Sequence, residues 1–463
     1  MASHRDVRDP IHGFIRIEGR EGDIVDSPVF QRLRHIRQLA MAYLVYPSAT
    51  HSRFEHTLGV LHVAGRMCAR LDIDPPHTQT IKFAALLHDI GHGPFSHPSE
   101  EVLAELAPAD VKAKAGGLDK IHELITRRII RTDPDLSRLL ADREREQIVR
   151  LLDEGLDEPL YKQVVSGALD ADKQDYLLRD SYSCGVRYGV FDLERLHGVL
   201  TRDTGPEGVQ LVVEEDGLHT LEQFVLARYF LTTQVIRHKG RLITDHMLVR
   251  GLTLGVKVDH LDFLEKLYTF EESDAFCQEY LAWNDERLMS RLLEPNHAET
   301  WAGRMARRLF ERRLYKCVFH RPVEALSPTL GLGEILRPLM PEIECAVAEA
   351  LSSASGMRVD PAEVILDVVK ASPAKKSEGS VLLKGARGEG RLFEEASVIF
   401  RSIDQTLQAA WLQCYAPVAE YDEAKRRNIE ASVTEVIVKS VQKLVPAEKT
   451  ETREQGKEQS HGH

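Results

Sequence analysis

A histidine and an aspartate stand side by side at the end of an apolar segment. His88 and Asp89 directly follow residues 81–87, which read as an apolar helix, and Gly91 is of a type that commonly ends helices. A polar pair at a buried helix end costs free energy unless another group binds it. A divalent metal ion is the simplest partner for an imidazole beside a carboxylate. The pair therefore predicts a helix that ends at a metal site.

Two further candidate ligands lie far from this pair along the chain. His56 lies in the segment RFEHTLGV, and Asp172 lies in LDADKQDYLLRD. Two imidazoles with two carboxylates suit iron, manganese, zinc or nickel, and they suit calcium poorly. We therefore expect one divalent transition metal ion, held by His56, His88, Asp89 and Asp172. The alternative is a set of satisfied core or helix-end imidazoles; the number of ligand types and the glycines of LLHDIGHGPFSH favour the metal.

The side chains around these ligands indicate a phosphate substrate. A metal ion with open coordination positions activates water, and a phosphate ester supplies an electrophile for it. Arg53 precedes His56 by three residues, so both point the same way at a helix start. The candidate phosphate contacts are Arg53, Lys173, Tyr176 and Arg228. For Arg228, which lies on an apolar helix stripe, the alternative is a salt bridge to a core carboxylate.

Two more histidines follow the His-Asp pair and are not needed as ligands. Either His92 or His97 could bind the scissile phosphate or protonate the leaving oxygen, because histidine titrates near neutral pH. Glu100 lies three residues after His97 and could orient it, and His122 is a second candidate for that role. A carboxylate behind a catalytic histidine is a common supporting arrangement.

Composition limits the class of protein. A chain of 463 residues is too long for one ordinary core, so two or three lobes are expected. The six cysteines are scattered, which argues against a disulfide framework or a zinc ribbon, and no apolar run is long enough to span a membrane. The net charge of −12 argues against a protein that coats nucleic acid. These features predict a cytoplasmic protein, with nucleic acid only a secondary candidate partner.

Helical periodicity dominates the chain, which predicts a mainly α fold with a few strands near the C-terminus. Helices are predicted over 57–71, 219–239 and about 420–443. Residues 108–117 read as a surface loop, 186–217 as irregular with a strand at 209–213, and 357–391 as strands and glycine-rich turns. We divide the chain into a core over 1–255, a helical lobe with small β elements over 256–447, and a disordered tail over 448–463.

The order His…His-Asp…Asp, with its surrounding segments, resembles the HD superfamily and in particular its deoxynucleoside triphosphate (dNTP) triphosphohydrolases. The matching segments are DPIHGFI, FQRLRHIRQL, HSRFEHTLGV, LLHDIGHGPFSH, DADKQDYLLRD and the helix with Arg228 and His238-Lys239, with a weaker match at RRLYK. The resemblance implies an HD-domain helical core and the metal ligands already named. It implies phosphate contacts from Arg53, His92, Lys173, Tyr176 and Arg228.

The resemblance also implies roles at the leaving group and the sugar. His97 would be the acid on the 5′-oxygen, supported by Glu100 and His122. Gln38 and Asp180 would bind the 3′-hydroxyl, and Leu39 would pack against C2′ and so favour deoxyribose. Magnesium on the triphosphate is a further cofactor to consider.

A regulatory nucleotide pocket between subunits is the last feature that the resemblance implies. Its positions in this chain are Arg5, Asp26, Gln31, Arg34, Arg312 and Lys316. The alternative is that these are solvated arginine-rich faces. Two departures from the family pattern stand out: Ile236 replaces a tyrosine beside the base, and residues 213–217 are acidic where a second activator would need basic groups. We expect a homodimer or homotetramer with GTP or a dNTP as activator.

The expected function is a dGTPase-like dNTP triphosphohydrolase that cleaves at the α-phosphorus and releases a deoxynucleoside and triphosphate. An HD phosphodiesterase or nuclease acting on nucleic-acid ends is the first alternative, because the same metal and histidines would serve it. A nucleotide-sensing oligomeric subunit, whose assembly matters more than its turnover, is the second. The preferred dNTP, the native metal and the physiological role stay open at this stage.

Overall fold

The computed structural model describes residues 4–114, 121–326, 339–370, 380–385, 389–406, 410–418 and 423–444. Most of these residues are helical. The α-helices are α1 Arg20–Asp26, α2 Pro28–Gln31, α3 Arg53–Arg70, α4 Pro75–Leu87, α5 His97–Leu106, α6 Ala109–Lys114, α7 Ile121–Thr132, α8 Pro134–Leu139, α9 Asp142–Asp153, α10 Pro159–Val165, α11 Ala171–Cys184, α12 Leu193–Val199, α13 Leu218–Leu231, α14 Lys239–Lys257, α15 Asp262–Tyr268, α16 Asp274–Leu281, α17 Asp285–Leu292, α18 Trp301–Phe310, α19 Met340–Ser355, α20 Phe393–Ala396, α21 Val398–Thr406 and α22 Glu423–Leu444.

Short strands form three separate sheets. The strands are β1 His4–Asp9, β2 Gly13–Glu18, β3 Leu200–Gly205, β4 Gly208–Glu214, β5 Lys316–Pro322, β6 Ile365–Lys370, β7 Leu382–Lys384, β8 Gly390–Leu392 and β9 Ala410–Ala416. β1 and β2 form a hairpin, and the other sheets have the orders β3-β4-β7-β8 and β5-β9-β6. Only the β4–β7 pair is parallel among these described strands.

The chain divides into two compact units. The first unit comprises residues 1–314 and 373–406, and the second comprises residues 315–372 and 407–463. In the second unit, α19 and α22 pack together beside the sheet β5-β9-β6 and enclose an apolar core that includes Val347, Leu412 and Ile437. In the first unit, α3 packs against α4 and α11, while α14 packs against α5 and α18. These contacts bring the helices that carry the candidate site into one unit.

Local sequence explains where the helices of the site begin. Glu55 in the first turn of α3 accepts hydrogen bonds from both the backbone N–H and the hydroxyl of Ser52. Asp170 caps α11 by accepting from the backbone N–H of Lys173 at 2.8 Å. These caps place His56 and Asp172 in the first turns of their helices, where the side chains face α4.

The structure requires a glycine at position 91 for a different reason from the helix-ending role that the sequence suggested. A Cβ atom at Gly91 would lie 2.5 Å from both the carbonyl oxygen of His122 and the backbone nitrogen of Thr126 on α7. The glycine is therefore required because α7 approaches the backbone closely. Its backbone φ is not in the left-handed region, so its role is not that of a left-handed helix cap.

The mainly α fold with C-terminal strands is confirmed, while several local predictions need correction. The strand at 209–213 lies within β4, the last helix runs from Glu423 to Leu444, and strands occur within and beside 357–391. The predicted helix over 219–239 is interrupted, because α13 ends at Leu231 and a π-helical turn, Thr232–Ile236, precedes α14. The loop predicted at 108–117 is wrong for Ala109–Lys114, which is helical, and 186–217 contains α12, β3 and β4.

The predicted domain boundary between residues 255 and 256 stays a prediction. The chain passes from the first compact unit to the second near residue 314 instead, and the second helical region from 256 belongs to the first unit. The tail predicted over 448–463 lies outside the described residues. No helix within the described ranges is long and apolar enough to cross a membrane.

Candidate metal and phosphate site

The four predicted metal ligands converge. The Nε2 atom of His56 lies 3.0 Å from Asp172 Oδ1 and 3.8 Å from Asp89 Oδ2. The Nε2 atom of His88 lies 3.2 Å from Asp89 Oδ1 and 3.9 Å from Asp172 Oδ1. These separations are close to the edges of a coordination polyhedron built from ligand bonds of about 2.0–2.3 Å.

The buried nitrogens of this group fit a metal ion. Among the described residues, the Nε2 atoms of His56 and His88 are buried, and their polar neighbours are the carboxylate oxygens of Asp89 and Asp172 given above. Their other ring nitrogens are paired, since His56 Nδ1 lies 2.8 Å from Asp175 Oδ2 and His88 Nδ1 lies 2.8 Å from the carbonyl oxygen of Ala85. Such bonds fix the tautomer that leaves Nε2 as the lone-pair atom, as metal-binding histidines require.

Electrostatics keep the carboxylates of the group ionised. Burial alone would raise the pKa of Asp172, but the imidazoles of His56 and His88 lower it to about 2. Burial would likewise raise the pKa of Asp89, and the charge of Arg53, followed by those of His88 and His92, holds it well below its usual range. In the absence of an ion, burial lowers the pKa of His56, but Asp172 and Asp175 outweigh burial and raise it to about 10. The pocket therefore stabilises positive charge at Nε2 of His56.

A second His-carboxylate group lies next to the first. Glu100 contacts His92 Nδ1, and its Oε2 atom lies 3.1 Å from His97 Nδ1 and 3.4 Å from His122 Nδ1. The rings of His92 and His122 stack at 4.4 Å with an interplanar angle of 18°. Two nearly parallel rings cannot both direct an in-plane lone pair at one ion, so this geometry favours hydrogen bonds to Glu100 over a second metal site.

The charges of this second group are unevenly distributed. Burial would raise the pKa of Glu100, but His122, His92 and His97 together hold it well below its usual range. Burial lowers the pKa of His122 to about 3, whereas Glu100 and Asp89 raise the pKa of His92 against burial and Arg53. Glu100 is thus an anion with a neutral His122 beside it. His97 is the most exposed member, with 59% of its side chain accessible.

Arg53 connects the two groups. Its Nη1 atom pairs with Asp89, and its Nε–H donates to the hydroxyl of Ser96 at 2.8 Å. Its Nη2 atom is buried and has no partner among the described residues. A guanidinium nitrogen left in this way beside a metal site is suited to an anionic oxygen of a ligand.

Two other predicted phosphate contacts, Tyr176 and Lys173, have different surroundings. Tyr176 is half-buried; its partial removal from water raises the pKa of its hydroxyl, and the charges of Arg228 and Lys173 act to lower it. Lys173 is turned onto its own helix cap, with Nζ donating to Asp170 at 2.5 Å and to the carbonyl oxygen of Gly167 at 2.8 Å. To contact a phosphate, Lys173 has to release these bonds or share them.

Polar atoms without partners also lie at the predicted sugar end. Asp180 Oδ1 lies 2.8 Å from Nε2 of His51, and the backbone N–H of Gln38 donates to the carbonyl oxygen of His51 at 3.0 Å. The Oε1 atom of Gln38 and the Nδ1 atom of His51 are buried without partners in the described part of the chain. Leu39, next to Gln38, is 5% exposed. His51 therefore joins the residues predicted for the sugar.

The residues predicted for a regulatory nucleotide belong to the first unit, apart from Lys316, which belongs to the second. Arg5 Nη1 donates to Asp26 Oδ1 at 2.9 Å, and Arg34 Nε donates to Gln31 Oε1 at 2.8 Å, which gives two surface pairs. Gln31 Nε2 donates to the carbonyl oxygen of Val25, next to Asp26, at 2.6 Å, so four of them lie in two neighbouring pairs. Arg312 donates to the carbonyl oxygen of Leu44 at 3.0 Å.

Sequence reasoning missed the groups that support the ligands. Asp175 and Arg179 lie on α11 one and two turns beyond Asp172, and His12 and Asp9 lie in DPIHGFI. The Oδ1 atom of Asp175 lies 2.7 Å from His12 Nε2, and both its oxygens accept from Arg179. The sequence contains one signal for this supporting role: helical periodicity places Asp175 on the buried face of α11.

Comparisons with known proteins agree with this site. The family model of the HD domain matches residues 53–180, and the model of the HD-associated region matches residues 191–437. The chain belongs to the HD-domain family with its associated region. A phosphohydrolase structure from Bacteroides thetaiotaomicron, 23% identical, has the same fold with a TM-score of 0.69 over 89% of this chain and all of that one.

The chain is also similar in sequence to three individual proteins. It is 32% identical to an uncharacterised Methanocaldococcus jannaschii protein over 62% of this chain and 57% of that protein. It is 31% identical to the uncharacterised YwfO of Bacillus subtilis over 73% of this chain and 77% of YwfO. The human deoxynucleoside triphosphate triphosphohydrolase SAMHD1 is 31% identical over 52% of this chain, which spans 43% of that enzyme.

Replacing Asp172 by alanine should remove bound metal without unfolding the chain. The carboxylate faces His56 and His88, whereas α11 is held by its Asp170 cap and by packing on α3. We expect metal content, measured by mass spectrometry of the purified protein, to fall below about one tenth of the wild-type value. Loss of a residue that only supports a ligand already weakens metal binding about 10–100-fold, and loss of a ligand should weaken it at least as much. The far-ultraviolet circular dichroism spectrum should be unchanged.

A matched control is Asp142→Ala, which removes a carboxylate from the first turn of α9 at a side chain that is 95% exposed. This variant should keep its metal. Full metal content in Asp172→Ala would contradict the assigned ligand set.

Proposed function

We propose that this protein is a metal-dependent dNTP triphosphohydrolase that cleaves at the α-phosphorus. The observation that carries the proposal is the convergence of His56, His88, Asp89 and Asp172 beside the buried Nη2 atom of Arg53, which has no partner among the described residues. A buried guanidinium nitrogen without a partner is rare in folded proteins unless a ligand uses it. Membership of the HD-domain family and 31% sequence identity to the human dNTP triphosphohydrolase SAMHD1 support the same conclusion.

Each group has a chemical task in this proposal. His56, His88, Asp89 and Asp172 would hold the metal ion, which would supply Lewis acidity to the water and the phosphate. Arg53, Tyr176 and Arg228 bind the phosphate oxygens and orient the α-phosphorus. Water adds to this phosphorus, the bond to O5′ breaks, and the leaving oxygen takes a proton from His97. The proton that the water loses passes to solvent, from which His97 is protonated again. The products are the deoxynucleoside and inorganic triphosphate.

Glu100 prepares His97 for this proton transfer. Its carboxylate lies 3.1 Å from His97 Nδ1, so it orients the ring and stabilises the protonated form that must act as acid. The ring of His92, at a centroid distance of 5.7 Å from His97, stands edge to face between the acid and Asp89. To contact a phosphate, the buried His92 would have to exchange its contact with Asp89 for a phosphate oxygen, whereas His97 is an exposed side chain.

The experiment that tests this function is an assay of the metal-loaded protein with each of the four dNTPs, alone and mixed. Release of inorganic triphosphate with the matching deoxynucleoside is expected. Pyrophosphate or orthophosphate as first product would place the cleaved bond elsewhere. Turnover of single-stranded nucleic acid with no action on dNTPs would favour a nuclease.

Replacing His97 by alanine should slow the chemical step by roughly 10²–10⁴-fold, because a general acid contributes about that factor. Single-turnover measurement separates this step from binding, and the dissociation constant should change little. The matched control is His219→Ala, because His219 pairs with Glu222 at 2.9 Å in the same i,i+3 arrangement at the start of α13. A variant with weak binding and an unchanged single-turnover rate would make His97 a binding residue.

Shortening Leu39 should admit ribonucleotides by removing the apolar wall beside C2′. We expect Leu39→Ala, and more strongly Leu39→Gly, to raise the ratio of GTP to dGTP hydrolysis, measured as a ratio of kcat/KM. The control is Leu33→Ala, which empties a fully buried position nearby and tests whether core loss alone alters the ratio. Equal hydrolysis of GTP and dGTP by the wild type would show that Leu39 does not exclude ribonucleotides.

We also propose activation by GTP or a dNTP bound between subunits of a homo-oligomer, with Arg5, Asp26, Gln31, Arg34, Arg312 and Lys316 as its contacts. Pairs that are exposed in one chain, such as Arg5 with Asp26, become a pocket when a second chain covers them. Assembly and nucleotide binding would then be one linked equilibrium. Sedimentation with and without GTP tests this linkage.

Replacing Arg34 by alanine should raise the GTP concentration for half-maximal activation roughly ten- to hundredfold, the loss expected for one hydrogen bond to a charged group. Arg34 lies 3.5 Å from the ring centroid of Phe54, so its guanidinium is pre-oriented. The matched control is Arg8→Ala, which removes an arginine stacked 4.1 Å from the ring centroid of Phe14. Equal effects of the two variants would contradict the pocket.

A further inference from the structure

A buried ion pair on α14 lies outside the site residues named so far. Arg241 and Asp245 are one helical turn apart, with Nη2 and Oδ2 separated by 3.5 Å. The two residues are 4% and 7% exposed. The Nη1 atom of Arg241 also donates to the carbonyl oxygen of Ile236 at 2.6 Å, which fixes the guanidinium across the π-helical turn.

One polar atom of each side chain remains unsatisfied. Within the described ranges, Nε of Arg241 and Oδ1 of Asp245 are buried and have no hydrogen-bond partner. A buried donor and a buried acceptor without partners are costly to the folded state. Because the two residues are one helical turn apart, a single ligand that offers the complementary acceptor and donor would satisfy both atoms.

The fold brings the pair next to elements of the proposed nucleoside site. α14, which carries the pair, packs against α5, whose first residue is the proposed acid His97. In keeping with this packing, the charge of His97 acts on the pKa of Asp245, which burial raises. The charge of Arg241 likewise acts on the pKa of Cys184, in the last turn of α11 that also contains Asp180. The unpartnered atoms of Gln38 and His51 belong to the same polar region, through the contact of His51 with Asp180.

We propose that Arg241 and Asp245 bind the base of the substrate and set the base preference; this rests on the proposed function. The guanidinium can only donate, and the ionised carboxylate can only accept. A base edge with a carbonyl oxygen next to a ring N–H satisfies both atoms at once. Guanine and thymine have that edge, whereas adenine and cytosine offer an amino group beside a ring nitrogen, a weaker acceptor for a guanidinium. The pair therefore favours dGTP and dTTP.

The test uses full-length, metal-loaded protein and two conservative variants. Asp245→Asn keeps the size of the side chain and offers both a donor and an acceptor, and Arg241→Lys keeps the positive charge beside Asp245 while removing the planar donor. We expect kcat/KM for dGTP relative to dATP to fall roughly tenfold or more in both variants, the discrimination typical of a paired base edge. Thermal unfolding of each variant checks that it is folded.

The matched control is Asp262→Asn, which alters an exposed i,i+4 pair with Lys266 at 2.7 Å on α15. This variant should keep the wild-type ratio. Ratios unchanged in folded Asp245→Asn and Arg241→Lys would overturn the proposal, because a purely structural ion pair has no means to discriminate bases. A wild-type preference for dATP and dCTP would overturn it equally.

Binding of the four deoxynucleosides by calorimetry separates this proposal from the proposed function. If the wild type hydrolyses no dNTP, the triphosphohydrolase proposal fails by itself. Weaker binding of deoxyguanosine, but not of deoxyadenosine, in Asp245→Asn would then still support the base contact. Deoxynucleoside binding that is identical in wild type and variant would overturn it.

Discussion

The carboxylate of Asp175 is the group on which the geometry of the metal site depends. It is fully buried, and one anion in such a place is unstable without several partners. Arg179 donates to both of its oxygens, and His12 and His56 each contact one. Burial would raise the pKa of Asp175, but Arg179 first, and then His12 and His56, hold it well below its usual range. Because the carboxylate stays ionised, His56 keeps Nδ1 as its donor and Nε2 as its lone-pair atom.

This network extends to the N-terminal hairpin and restricts the residues around it. Arg179 donates through Nη1 to Asp9 at 2.8 Å, and Asp9 Oδ1 accepts from the backbone N–H groups of Ile11 and His12. A Cβ atom at Gly59 would lie 1.8 Å from Asp175 Oδ1, so α3 needs a glycine where it crosses this carboxylate. The segment DPIHGFI, which the sequence shows only as a family match, thus supports a ligand more than forty residues away. The hairpin and the metal site depend on one set of hydrogen bonds.

The sequence predicts the candidate metal ligands better than it predicts the residues that hydrogen-bond to them. The helical class followed from periodicity, and the convergence of the four metal ligands followed from residue types that are costly to bury alone. The pairing of Asp175 with Arg179 and His12 could not be derived in this way, because an acid on a helix face looks the same whether its partner is solvent or another element. The same holds for His51 at the sugar end. The break after Leu231 was also missed, since a π-helical turn keeps a nearly helical pattern of apolar residues.

In the proposed function, the position of Asp89 would link metal binding to substrate binding. One of its oxygens faces His88 and His92, each at 3.2 Å, and the other pairs with Arg53. A cation held by His56, His88 and Asp172 would draw on the same negative charge that holds Arg53. It would therefore weaken the hold of Asp89 on the guanidinium, whose Nη2 atom lacks a partner in the described structure. Arg53 would then transfer its hydrogen bonds to a phosphate oxygen at little cost, because the anion it gains replaces the anion it shares. The metal and the phosphate should for this reason bind more tightly together than either does alone.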